Sequence, residues 1–201
     1  MTPDPLVLLA FVPAALALNI TPGADMMFCL AQGLRRGARA ATLASAGIAL
    51  GGLIHAAIAG LGLSALVEAW PPAFDLIRWA GVGYLLWLAW GALRGGGADK
   101  QDLPPGNPFL QGLMVNLTNP KVILFVLAFV PQFVRPEDGA VLAQFLVFGL
   151  VLSLGGFIIN AAVGIASGGI GRKLAGGGRV LGYVTAGIYS ALALRLAMVS
   201  R

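Results

Sequence analysis

Charge is what this sequence has least of. Only 10% of its 201 residues are Asp, Glu, Lys or Arg, against about 25% in an ordinary soluble domain. So few charges cannot coat a water-facing surface of this size. Cysteine occurs once, at Cys29, and histidine once, at His55. A single cysteine excludes an intrachain disulfide and a two-cysteine redox pair. One cysteine and one histidine also exclude a His/Cys metal cluster built from one chain. The GxSxG and HExxH signatures are absent, and with them the common hydrolase chemistries they mark. The period-two alternation of an outer-membrane barrel is missing too. Lys and Arg do not occur between Met1 and Asp4, where a cleaved signal peptide would carry its positive stretch. The first apolar block is therefore expected to stay in place as a helix.

What is present is apolar: 58% of the residues are hydrophobic. They come in blocks of about 20 or more, enough to cross a hydrocarbon core of ~30 Å. Unpaired backbone is too costly in lipid, which leaves helices. The blocks cover residues 5–34, 40–67, 74–93, 109–134, 141–170 and 180–199, and the polar, Gly/Pro-rich stretch 94–108 is the one candidate linker. A net charge of +5 does not signal nucleic acid here, because the basic residues sit in short loops. Loops on one side hold Arg35, Arg36, Arg39, Arg94, Lys100, Arg172, Lys173 and Arg179. The other side holds Arg78, Arg135, Arg195 and Arg201, accompanied by Glu68, Asp75, Glu137 and Asp138. The positive-inside bias makes the first side cytoplasmic and puts both termini outside an inner membrane.

The two halves resemble each other. Asn19, Thr21, Phe28, Leu30 and Ala31 match Asn116, Thr118, Phe125, Leu127 and Ala128 at constant spacing. Leu50-Gly51-Gly52 with Ile54 matches Leu154-Gly155-Gly156 with Ile158. Arg78, Gly81 and Arg94 match Arg179, Gly182 and Arg195. Three helices per half is an odd number, so the second copy enters the bilayer upside down. The expected fold is an all-α membrane protein of six transmembrane helices in two inverted three-helix repeats. It forms one transmembrane domain over residues 1–201, with repeats at about 1–97 and 105–201. Inverted repeats with interrupted helices point to a transporter with its site near the midplane.

The interruption falls in the first helix of each repeat, at Asn19-Ile20-Thr21-Pro22-Gly23-Ala24-Asp25 and at Thr118-Asn119-Pro120-Lys121. Proline removes a backbone donor and clashes with the preceding turn. Thr21 is expected to cap a new helical segment with Pro22 in its first position, and Asn119 with Pro120 to do the same. The helix ends so exposed would face a cavity and attract a carboxylate. Asp25 and Lys121 lie at mid-bilayer depth, where a charge costs ~2.5–3.5 kcal/mol on the gentlest scale. Lys121 at a half-helix start asks for an anionic partner. Asp25 and Lys121 are expected to face each other across the pseudo-twofold axis. Asp25 would take a substrate amino group or a coupling proton, and Lys121 a carboxylate; a structural ion pair is the plainer alternative. His55 is either a proton relay or a helix–helix hydrogen-bond partner, with Asn160 at the near-equivalent place. Gly47, Gly51, Gly52, Gly60, Gly149, Gly155, Gly156 and Gly164 are read as packing positions. Trp70, Trp79, Trp87 and Trp90 cluster around the third block as interfacial anchors.

At these residues the sequence resembles the lysine exporter (LysE/RhtB) family of amino-acid and homoserine-lactone efflux proteins. Asn19 through Asp25 is similar to the family's first-helix motif, and Gly33-Leu34-Arg35-Arg36-Gly37 to its first loop. Asn116, Asn119-Pro120-Lys121, Phe125 and Pro131-Gln132-Phe133 resemble its fourth-helix signature. The resemblance spans essentially the whole chain. Ala24 departs from it, standing where the family often has a second proline. The family implies export of small amino acids or related polar solutes driven by the proton-motive force, with no cofactor or metal. It carries functional expectation onto Asp25, Asn119, Pro120 and Lys121. The substrate-binding set read from the sequence is Asn19, Thr21, Gly23, Asp25, Asn116, Asn119 and Lys121, with Asp25 and His55 for proton coupling. The partners are a small solute and the lipid bilayer, and a homo-oligomer is left open. Competing readings are a cation or metal-ion exporter, a membrane thiol oxidoreductase and a non-transporting assembly protein. The single cysteine argues against the second of these.

Overall fold

A computed structural model describes residues 3–70, 72–94, 106–167 and 179–198, and the regular elements among them are all helical. The first half gives α1 (Pro5–Ile20), α2 (Ala24–Arg36), α3 (Ala38–Ala69) and α4 (Pro72–Arg94). The second gives α5 (Pro108–Leu117), α6 (Pro120–Ala128), α7 (Val141–Ile165) and α8 (Arg179–Met198), with short 3-10 turns at Val130–Phe133 and Pro136–Asp138. Repeat boundaries near 97 and 105 and the loop cations Lys100, Arg172, Lys173 and Arg201 lie outside the described residues.

Three helices start with the same device. Asp4, Asn107 and Asn119 each accept a backbone N–H two residues on, and a proline fills the first helical position where its missing N–H costs nothing. α1 and α2 meet at a bend of 53°, and α5 and the α6 segment to Phe133 at 54°. Each pair is apolar and long enough to cross a membrane when taken as one broken span. α3 and α7 pass the same test singly, over Ala38–Gly62 and Val141–Ile165. α4 contributes a shorter apolar stretch, Val82–Gly91.

α3 and α7 form the spine. A methyl group placed on Gly60 would meet Phe145, on Gly149 it would meet Ala56, on Gly52 Ser153 and on Gly164 Ala41. Partner numbers fall along α7 as they rise along α3, so the two helices run antiparallel in close contact. Ser45 adds a hydrogen bond from its hydroxyl to the Phe157 carbonyl at 2.8 Å. α4 and α8 pack against each other. On one side of the breaks, Phe11, Phe125, Phe129, Phe133 and Phe148 form a fully buried cluster, with ring centroids 4.9–6.5 Å apart. Leu6, Leu9, Ile58, Trp87, Ile158 and Leu194 face outward. An apolar exterior of this kind is what lipid covers.

Candidate functional site

The two breaks come together at the centre of the bundle, and backbone chemistry explains what they hold. In an unbroken helix the Leu18 carbonyl would accept from residue 22, but Pro22 has no N–H. Lys121 reaches across from the start of α6 and donates through Nζ to the carbonyls of Leu18 and Thr21, each at 2.7 Å. A cation thus sits on the negative end of α1. The atoms that Lys121 Nζ touches are therefore those of a helix terminus, while Asp25 stands near enough for the two charges to act on each other.

The second break has a matching arrangement. Pro120 removes the helical donor to the Asn116 carbonyl, which accepts instead from the Asn119 N–H at 3.0 Å and is met by His55 Nε2 at 3.2 Å. A carbonyl only accepts, so His55 carries its proton on Nε2. Asn116 in turn donates from Nδ2 to Asp25 Oδ2 at 2.9 Å, while Asp25 Oδ1 has no partner. Asn119 caps α6 by accepting from the Lys121 N–H at 3.0 Å, as the sequence predicts. The first break departs from expectation. Thr21 ends α1 instead of starting α2, because its hydroxyl turns back to the Ala17 carbonyl at 2.6 Å. Gly23 is the N-cap of α2 and offers no side chain, so the first N–H groups of α2 stay uncapped. The helix breaks despite alanine at position 24.

The glycine pairs do more than close-pack helices. A methyl on Gly51 would lie 2.5 Å from Asn116 Oδ1. Methyls on Gly155 and Gly156 would lie 2.9 Å and 3.1 Å from the amide of Asn19, which donates to the Leu152 carbonyl at 3.0 Å. Gly51 thus seats the asparagine of the second broken helix, and Gly155 with Gly156 that of the first.

Two small, adjoining cavities open here. One, of about 20 Å³, is lined by Asn19, Thr21, Gly23, Asp25, Asn119 and Lys121 among others, and the next, of about 30 Å³, by Asn19, Asp25 and Asn116. Six of the seven residues named as substrate-binding line the first cavity and Asn116 the second, with Asn19, Asp25 and Asn160 on both walls. His55 lines neither; it is one bond removed, behind Asn116. Three participants escape a sequence reading. Ser153 lines the larger cavity. Tyr189 of α8 is fully buried and donates to Thr21 Oγ1 at 3.1 Å, tying the last helix to the first break. Gln32, also fully buried, donates to Gln111 Oε1 at 3.1 Å, joining α2 to α5. Scarcity was the available signal, since tyrosine occurs only three times. Among the described residues no group of three or more His, Cys, Asp or Glu is placed to hold a metal ion.

Comparison with known proteins identifies the chain's relatives. The chain is 34% identical over 146 residues, 70% of each chain, to a homoserine/homoserine lactone efflux protein of Salmonella typhi. It is 30% identical over 154 residues to a leucine efflux protein of Enterobacter sp. strain 638, covering 74% of this chain and 73% of that one. An uncharacterized membrane protein of Vibrio cholerae is 33% identical over 147 residues, 71% of each. No solved structure matches the chain. Residues 16–200 match the family described as LysE type translocator, and the chain belongs to that family.

Proposed function

We propose that this protein exports small amino acids or closely related amines across the inner membrane, driven by the proton-motive force. The observation that carries the reading is the cavity at the junction of two broken helices that both Asp25 and Lys121 line. A buried acid and a buried base bordering one space suit a solute with an amine at one end and a carboxylate or lactone carbonyl at the other. Lys121 uses two of its three protons on α1, which leaves one for such an oxygen. The uncapped start of α2 adds N–H donors beside it.

Six spans, with α4 and α8 crossing alongside the other four, complete the architecture as one domain of two inverted halves. The antiparallel α3–α7 spine and the reciprocal seating of Asn19 and Asn116 support that arrangement. Both termini lie on the outer side in this reading, from the loop charges. A water needs roughly 10–15 Å³ of space, so cavities of about 20 and 30 Å³ take one or two waters each. An amino acid enters only after the helices part, which is the behaviour alternating access requires.

The test is counterflow of leucine and homoserine in proteoliposomes. Wild-type protein is expected to exchange at least one of them, faster with an imposed pH gradient. Asp25→Asn is expected to lower flux by tenfold or more and to flatten its pH dependence. Undiminished, pH-responsive flux in Asp25→Asn removes Asp25 from the mechanism.

A further inference from the structure

Three residues on the wall of the larger cavity carry orphaned oxygens. Asp25 Oδ1, Ser153 Oγ and Asn160 Oδ1 are buried without a hydrogen-bond partner, and all three residues line it. Ser153 and Asn160 are 5% and 4% exposed, so bulk water does not compensate them. Asn116 Oδ1 is orphaned as well, because its amide nitrogen is committed to Asp25 and holds the group in that orientation. Lys121 borders only the smaller cavity. The larger one is therefore rich in acceptors and has no cationic side chain on its wall. Buried acceptors left unpaired are costly, and a ligand bringing several donors to one point would relieve three of them together.

We propose that this cavity is the socket for a primary ammonium group of the transported solute, and that Ser153 and Asn160 of α7 recognise that group together with Asp25. The inference rests on the export reading and narrows it to solutes with a free primary amine. An –NH3+ group offers three protons from one atom, as a lysine does, which matches one carboxylate, one amide and one hydroxyl oxygen. An acylated nitrogen brings at most one proton and no charge, and a quaternary nitrogen brings no proton at all. The acidic oxygen supplies the charge, and the two neutral ones count the protons. A 2-hydroxy acid, with one donor in place of three, leaves two acceptors bare and is rejected on the principle that unpaired polar groups penalise the wrong ligand.

The experiment is leucine counterflow in proteoliposomes, with leucine, its 2-hydroxy analogue and N-acetylleucine as competitors. Wild type is expected to prefer leucine over both analogues by on the order of tenfold or more, the worth of one charge-assisted hydrogen bond. Ser153→Ala and Asn160→Ala are each expected to raise the half-saturating leucine concentration by about tenfold. The hydroxy analogue should be scarcely affected, so discrimination falls while maximal flux is kept. Ser153→Ala removes a single oxygen and serves if Asn160→Ala does not fold. Normal flux with discrimination unchanged in Ser153→Ala overturns the proposal. So does a wild-type flux that needs sodium and loses that need in Ser153→Ala, which would assign the socket to an alkali ion. Absence of any amino-acid counterflow in wild type overturns the export reading first and this inference with it.

Discussion

Lys121 is the residue on which the centre of the molecule turns. Its side chain fills two carbonyls that a proline and a helix end leave open, so it acts on structure before any solute arrives. Lys121→Met keeps the length and removes the donors. It is expected to cost about 1–3 kcal/mol for each carbonyl left unpaired, read as a lower unfolding temperature in detergent without solute. An unchanged midpoint would mean that the carbonyls find other donors and that Lys121 serves transport alone. The need of Lys121 for a partner was legible in the sequence, because a buried cation at a helix start is doubly unfavourable. Its partner was not legible, because main-chain carbonyls carry no residue signature.

The helices show why proline alone does not decide a break. α1 continues past Pro13 yet stops before Pro22. At Pro22 the freed carbonyl is captured by Lys121, the Thr21 hydroxyl closes the last turn, and Gly23 follows in an extended conformation at φ −166°. A break survives where other elements take over the lost hydrogen bonds. The glycines separate in the same way. Gly51→Ala is expected to push Asn116 from its seat, since the new methyl would lie 2.5 Å from Oδ1, and to lower flux several-fold as Asp25 loses its amide donor. Gly62→Ala meets nothing within 4 Å and is expected to leave flux intact, with stability unchanged or raised by up to about 1 kcal/mol. Equal losses in both variants would show that the glycines matter for helix packing in general and not for the asparagine seats. The paired glycines were visible as a repeat; what they accommodate was not, since that depends on which helix of the other half crosses them.

At the scale of the molecule, the two bends of 53° and 54° place four half-helix ends around one point. The buried phenylalanine cluster closes that point on the side of the α1 N-terminus. On the other side Gly33 abuts the Gly164 carbonyl and Gly47 the Phe109 carbonyl, with no room for a side chain. The molecule packs tightly on both sides of its broken helices. Its orientation is checked by labelling single cysteines in a Cys29→Ser background with a membrane-impermeant maleimide. Arg39 and Glu137 are both exposed. Glu137→Cys is expected to react in intact cells and Arg39→Cys only after lysis. The reverse pattern would invert the topology.

The sequence by itself determined that the chain is an apolar, helical membrane protein and that its first and fourth apolar blocks are interrupted. These follow from composition, from proline's missing donor and from residue spacing, all properties local to the chain. It also named residues that share one space, because scarce polar groups in an apolar background have few reasons to be there. Tertiary structure alone decided the pairings: Lys121 with the end of α1, Asn116 with Asp25, His55 behind Asn116, Tyr189 on Thr21, Gly51 beneath Asn116, and Gly155 with Gly156 beneath Asn19. The hydrogen-bonded pairs among them lie 61 to 168 positions apart. Only the crossing of helices in three dimensions selects among the partners that the same chemistry allows.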